Sequence, residues 1–404
     1  MHYLDESHIL LFLIQIFILM GCARGAGELL RRWGQPALTG EILVGIFLGP
    51  TILGRLWPEL QLALFPPDAI QQTMLDTVAW VGVLFLLLDT GLEIDFSIAW
   101  RQRGSAFLIA ISDIIIPVAV GFAAVYFLPD RFLVNPEQRI IFALFMATVM
   151  TISAMPVAAR VLHDLKLLKA DLGFLVMSAL AVNDIVGWVL FTIILGTFTT
   201  STATVGPIFM VFTSTVGFAA LALTLGRPVS TRVFDAVKRG KFPEPATSLT
   251  ITVLLGLLFG VVTSWLGIHA LFGFFIAGVV VGEAKSLSEQ TRGVISQMVH
   301  SLFVPLFFAN IGLKMDYIAD FNLPVVALIC AAGIGGRYAG AWFGVTWARV
   351  PRINRDLISI AHTPGGMMEI VVALLALEAD LITPAIFVAI VVSAVFSSML
   401  MGPW

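Results

Sequence analysis

Apolar stretches of membrane-spanning length follow one another along almost the whole chain, separated by short polar gaps. They cover residues 9 to 30, 36 to 54, 73 to 93, 105 to 128, 139 to 163, 172 to 198, 205 to 226, 247 to 266, 268 to 283, 299 to 314, 322 to 348, 357 to 379 and 382 to 401, thirteen in all. About 20 apolar residues in a helix cross the hydrocarbon core, and helices satisfy their own backbone there. The pattern therefore predicts an all-α polytopic membrane protein of about thirteen transmembrane helices.

The gaps differ in charge. Of 23 Lys and Arg, 18 lie at or near the gaps after odd-numbered spans: Arg24, Arg31, Arg32; Arg101, Arg103; Arg160, Lys166, Lys169; Arg227, Arg232, Lys238, Arg239, Lys241; Lys285, Arg292; Arg349, Arg352, Arg355. The even gaps hold Arg55, Arg131, Arg139 and Lys314, and Arg337 lies inside a span. The positive-inside rule then predicts an outside N-terminus and a cytoplasmic C-terminus, with a bacterial inner membrane as the expected location. Asp5 and Glu6 stand where a signal peptide would carry bases, so the first span is read as retained.

Composition adds exclusions. With 59% apolar and 12% charged residues, a water-soluble globule is ruled out. At about 31 residues per span plus loop, residues 1–404 read as one transmembrane domain, and any regulatory domain would lie beyond Trp404. Cys22 and Cys330 sit in apolar stretches and indicate neither a disulfide framework nor a metal site. The basic cytoplasmic face predicts contact with anionic lipid rather than nucleic acid. No cofactor is expected.

Two motif echoes point to an internal repeat. Gly91-Leu92-Glu93-Ile94-Asp95 closes the third span and Gly312-Leu313-Lys314-Met315-Asp316 the tenth; Gly40 to Pro50 in the second span resembles Gly273 to Gly282 in the ninth. A shift of seven spans reverses direction in the membrane. It predicts inverted six-helix repeats, residues 1–198 and 247–404, with residues 199–246 as connector span and loop.

The fifth and twelfth spans, partners under that shift, both carry a breaker. Pro156 follows Thr151-Ile152-Ser153-Ala154-Met155 and should free the carbonyl of Ile152 while pushing Met155 from helical torsions. Pro364-Gly365-Gly366 should free the carbonyl of Ile360. Loose carbonyls at membrane depth are tolerated only beside protein or a polar cavity, and crossed broken helices are how inverted-repeat transporters build a site.

The sixth span supplies the chemistry. An ionised Asp at the bilayer centre costs about 2.5 to 3.5 kcal/mol, so Asp184 should meet water, an ion, a donor or a proton. Asn183 beside it can brace the carboxylate or join a coordination shell. Arg337, deep in the eleventh span, needs an acid or a broken-helix carbonyl as partner; Asp184, Asp89, Asp113 and Glu369 are the candidates. A structural ion pair between the two halves and a direct role at the ion site both stand. Asp89 and Asp113 read as a second ligand, a proton relay or that partner, and Glu369 lies just past the second break. His269 and His362 read as hydrogen-bonded structural histidines.

The runs GEILVG through Gly49-Pro50, Thr151 to Leu162, Val182-Asn183-Asp184, Phe303 to Phe308 with Gly312-Leu313, and Thr363 to Glu369 resemble the monovalent cation:proton antiporter superfamily, over essentially the whole chain. The resemblance implies a thirteen-span homodimer with a six-helix core that moves like an elevator. It implies exchange of Na⁺ or K⁺ for H⁺ at Asp184, supported by Asn183 and the hydroxyls of Thr151 and Ser153, and the Asn-Asp pair implies electroneutral exchange. Two departures bear on charge: Asp89 stands where relatives are usually apolar, and Pro364-Gly365-Gly366 lacks a basic residue many relatives carry. An alternative is an ion- or pH-sensing module that controls a C-terminal output domain. An intramembrane aspartyl protease fits less well, because Asn183-Asp184 offers one acid where a dyad needs two.

Overall fold

A computed structural model describes residues 5–94, 104–168, 170–199, 205–284 and 286–400. Asp95, Arg101, Arg103, Lys169, Lys285, residues 200–204 of the connector and residues 401–404 lie outside the described residues, as does the side chain of Arg160. The described elements are helices: α1 Glu6–Arg32, α2 Ala37–Leu48, α3 Ala69–Glu93, α4 Ser105–Tyr126, α5 Arg139–Val149, α6 Met155–Asp164, α7 Asp171–Thr199, α8 Val205–Leu221, α9 Arg227–Arg239, α10 Ala246–Trp265, α11 Ala270–Gly282, α12 Glu289–Met298, α13 Val304–Lys314, α14 Leu323–Trp347, α15 Arg352–Ala361, α16 Met367–Glu378 and α17 Pro384–Leu400, with short helical pieces at Leu53–Leu56, Pro58–Leu64, Asp130–Phe132 and Pro136–Gln138. Turns of π-helix, Ala222–Gly226 and Val299–Phe303, join α8 to α9 and α12 to α13. Among the described residues there is no β-strand, and nine helical stretches are long and apolar enough to cross a membrane.

Helix starts carry side-chain caps where the chain enters from a polar gap. Asp68, Ser288 and Asn322 each accept from a backbone N–H in the first turn of α3, α12 and α14. His269 Nδ1 does the same for Leu271 at 3.3 Å, a structural role for that histidine.

Burial sorts the helices by depth in the protein. α11 and α16 are buried on nearly every side, as expected of helices that are apolar all round. Elsewhere large apolar groups face outward, among them Leu10, Phe17, Phe209 and Val261. Large apolar side chains turned outward on so many helices suit contact with lipid rather than water. Trp33, Trp57, Trp265 and Trp347 stand exposed at or near helix ends, the positions favoured at the membrane–water interface.

The motif glycines are where backbones cross. A Cβ on Gly45 of α2 would sit 2.1 Å from the carbonyl of Ala309 in α13, and one on Gly312 would sit 2.6 Å from Ile46 N. In the same way Gly91 of α3 meets Phe275 O of α11 at 2.3 Å, and Gly278 meets Leu88 O at 2.1 Å. Gly40 abuts α1 at Ala26, and Gly273 abuts α10 at Phe259. Small residues of this kind let membrane helices approach closely.

Candidate functional site

The fifth apolar segment is two helices with an extended gap, and so is the twelfth. α5 ends at Val149 and α6 begins at Met155; α15 ends at Ala361 and α16 begins at Met367. The sequence expectation for Pro156 needs correction. Met155 is the first helical residue, and Pro156 sits in the first turn, where its missing N–H costs nothing. The break lies upstream, at Thr151–Ala154, and it does free the carbonyl of Ile152. The carbonyl of Ile360 is not free: Thr363 N and Thr363 Oγ1 donate to it at 3.0 and 2.7 Å.

The two gaps touch. Ala154 N donates to Pro364 O at 2.8 Å, and Ser153 Oγ donates to His362 O at 2.9 Å. A Cβ on Gly366 would lie 2.5 Å from the Cβ of Ala154, so a larger residue cannot occupy this crossing without displacing it. Gly365 is tied to α17, its N–H to Ser397 Oγ at 2.9 Å and its carbonyl to the Ser398 hydroxyl.

Arg337 of α14, fully buried, stitches the crossing together. Its Nε donates to Thr363 O and its Nη1 to Ile152 O, both at 3.0 Å, and Nη1 lies 3.4 Å from Glu369 Oε2. The guanidinium thus meets carbonyls at the negative ends of α5 and α15, while Glu369 stands in the first turn of α16. Of the four acids offered by the sequence, Glu369 is the one hydrogen-bonded to Arg337.

Asp113 has other partners. Its Oδ2 accepts from Asn183 Nδ2 and from His362 Nδ1, each at 2.7 Å, with all three residues buried. Asn183 therefore spends its amide N–H on Asp113, and its Oδ1 is left without a partner. His362 has the hydrogen-bonded role expected of it. Thr151 Oγ1 donates to Ala147 O at 2.8 Å, so the hydroxyls of Thr151 and Ser153 each give their proton to a carbonyl and keep lone pairs to accept with.

Asp184 differs from these acids. Asp113 and Glu369 each have one bonded and one unbonded oxygen, whereas Asp184, 2% exposed, has no hydrogen bond or ion pair to its carboxylate among the described residues. It lines a cavity of about 620 Å³ shared with Ser153, Ala154, Met155 and Pro156, so the positive N-terminal end of α6 faces the same space. The mouth of the cavity is marked by the exposed residues Arg31, Trp33 and Gly34. An unpaired carboxylate lining such a cavity needs a proton, a cation or water, and can exchange one for another.

Asp89 is not part of that group. Its Oδ2 lies 3.2 Å from His300 Nε2, in the π-turn before α13. Sequence reasoning passed over His300 and over Glu41 of α2, both of which line the Asp184 cavity. The signal available for each was an ionisable residue inside an apolar span.

The sodium/hydrogen exchanger transmembrane family model matches residues 11–404. The chain belongs to that family. This exchanger-family chain is 30% identical to the Na(+)/H(+) antiporter NhaS4 of Synechocystis sp., over 99% of the chain and 97% of the relative. It is 23% identical to the Na(+)/H(+)-K(+) antiporter GerN of Bacillus cereus, covering 97% and 95% respectively. Against cation/H(+) antiporter 19 of Arabidopsis thaliana it is 30% identical but spans 49% of that protein's length. Its fold is similar to that of the sodium proton antiporter MjNhaP1 of Methanocaldococcus jannaschii, with TM-score 0.73 at 15% identity over 98% and 95% of the two chains.

Proposed function

We propose that the chain is a secondary antiporter that exchanges a monovalent cation, Na⁺ or K⁺, for H⁺ by alternating access at Asp184. The observation that carries the reading is the buried, partnerless carboxylate of Asp184, which lines the cavity together with Ser153 and Ala154 of the first helix break. One carboxylate takes either H⁺ or a cation, so occupancy by one excludes the other. The relatives' names, Na(+)/H(+) and Na(+)/H(+)-K(+) antiporter, support the same exchange. Asn183 Oδ1, Thr151 and Ser153 are the oxygens proposed to complete the shell. Arg337 and Glu369 hold the crossing, and Asp113 is held by Asn183 and His362.

The architecture proposed is thirteen crossings in two inverted repeats, in a homodimer in a bacterial inner membrane with the N-terminus outside and the C-terminus cytoplasmic. Support for the repeats comes from the glycines. A shift of seven spans maps the contact Gly45–Gly312 onto Gly278–Gly91, and the contact of Gly40 with α1 onto that of Gly273 with α10. With Asp184 as the single carrier, each loaded half-cycle is neutral, and exchange is electroneutral.

Proteoliposomes with an internal pH dye test the reading: Na⁺ or K⁺ addition should drive proton efflux from wild type and none from Asp184→Asn, with folding intact by size-exclusion profile. Wild-type exchange by Asp184→Asn would overturn it. The sensing alternative predicts cation binding without flux, so net flux in wild type excludes it.

A further inference from the structure

Glu41 of α2 is a second buried acid in the same cavity, and the exchange reading above makes no use of it. It is 2% exposed, and its Oε2 has no hydrogen-bond partner. Its Oε1 lies 3.4 Å from the place a Cβ on Gly27 would occupy, so the small residue leaves room beside the carboxylate. His300 lines the same cavity, and Arg24 and Arg31 stand on α1, which packs against α2. None is its partner: Glu28 lies 3.5 Å from Arg31 and 4.0 Å from Arg24, and His300 lies against Asp89. Thr90 lines the cavity as well, and because its hydroxyl donates to Leu86 O at 2.9 Å it keeps acceptor lone pairs. A carboxylate and a hydroxyl oxygen lining one cavity suit a weakly held monovalent cation.

We propose that Glu41 is a second monovalent-cation subsite, a staging position in the Asp184 cavity that loads the ion before it reaches Asp184. The staging role rests on the exchange reading; the subsite itself does not. A carboxylate in a cleft with low-dielectric walls concentrates its counter-ion, so removing the charge lowers capture from the cavity side alone.

Two measurements test it. In the first, Tl⁺ binding to purified full-length protein is followed at alkaline pH by scintillation proximity. Asp184→Asn should retain one weak saturable site, and that site should disappear in Asp184→Asn/Glu41→Gln. Absence of Tl⁺ binding in Asp184→Asn, or undiminished binding in the double variant, overturns the subsite whether or not the protein transports. The second measures Na⁺-driven proton movement in everted and right-side-out vesicles from an antiporter-deficient bacterial host. Glu41→Gln should raise the cation KM about tenfold on the face that bears Arg31 and Trp33, with maximal rate and opposite-face KM unchanged. Thr90→Val should shift the same KM in the same direction, and Glu41→Asp should restore most of it. An equal KM change on both faces, or a fall in maximal rate at unchanged KM, means that Glu41 only packs against α1 and overturns the staging role.

Discussion

Arg337→Met tests whether the crossing of the two breaks depends on the guanidinium. Methionine fills much of the volume but donates nothing, so the carbonyls of Ile152 and Thr363 lose their donors and Glu369 loses its counter-charge. Removing one member of a buried ion pair costs about 3 to 5 kcal/mol, and each orphaned carbonyl adds about 1 kcal/mol or more where no water replaces the donor. Membrane hydrogen bonds average nearer 0.6 kcal/mol, which places the expected total toward the low end, about 4 kcal/mol. The apparent melting temperature in detergent, read by fluorescence size-exclusion, should fall on the order of 5 °C or more. Much of the loss comes from the stranded carboxylate, so Arg337→Met/Glu369→Met should recover part of it. Wild-type stability in Arg337→Met would refute the clamp, and a double variant worse than the single would refute the assigned partner.

Other consequences can be checked separately. Because H⁺ and cation compete for Asp184, the apparent cation KM should rise as pH falls; a pH-independent KM would place the two ions at separate sites. If the carrier is neutral when loaded, clamping proteoliposomes with valinomycin and K⁺ should leave the Na⁺/H⁺ equilibrium unmoved by voltage. Gly278→Val places side-chain atoms against Leu88 O and should destabilise by about 1 to 3 kcal/mol, seen as lower yield of monodisperse protein. Asp316, in the polar gap after α13, pays a small burial cost that raises its pKa, but Arg55 and the N–H groups of Ile318 and Ala319 outweigh it and hold the carboxyl below its ordinary value. Its stabilisation is therefore present above the ordinary Asp pKa and is lost as pH falls through the lowered one. Asp316→Asn should remove that increment, no more than about 1 kcal/mol for so exposed a pair, at pH 7 but not in strong acid.

Local properties of the chain determined where the helices run. Length of apolar run, position of bases and placement of proline and glycine each act within one helix, so the helix positions, the two interruptions and the presence of Asp184 and Arg337 deep in apolar segments were legible from residues alone. The meaning of the repeated glycines was half legible: their spacing pointed to a repeat, but only the crossings of α2 with α13 and α3 with α11 give each its neighbour. Partner choice was decided by tertiary structure. Arg337 takes Glu369 and two loose carbonyls, Asp113 takes His362 and Asn183, and Asp89 takes His300, although the apolar pattern offered the acids to Arg337 on equal terms. Hydrophobicity records that a residue is in the membrane and nothing about which way it faces, because lipid and protein interior are similarly apolar. The same reason hid Glu41: only the packing of α1 on α2, with Glu28 drawing off the arginines, left its carboxylate alone in the cavity.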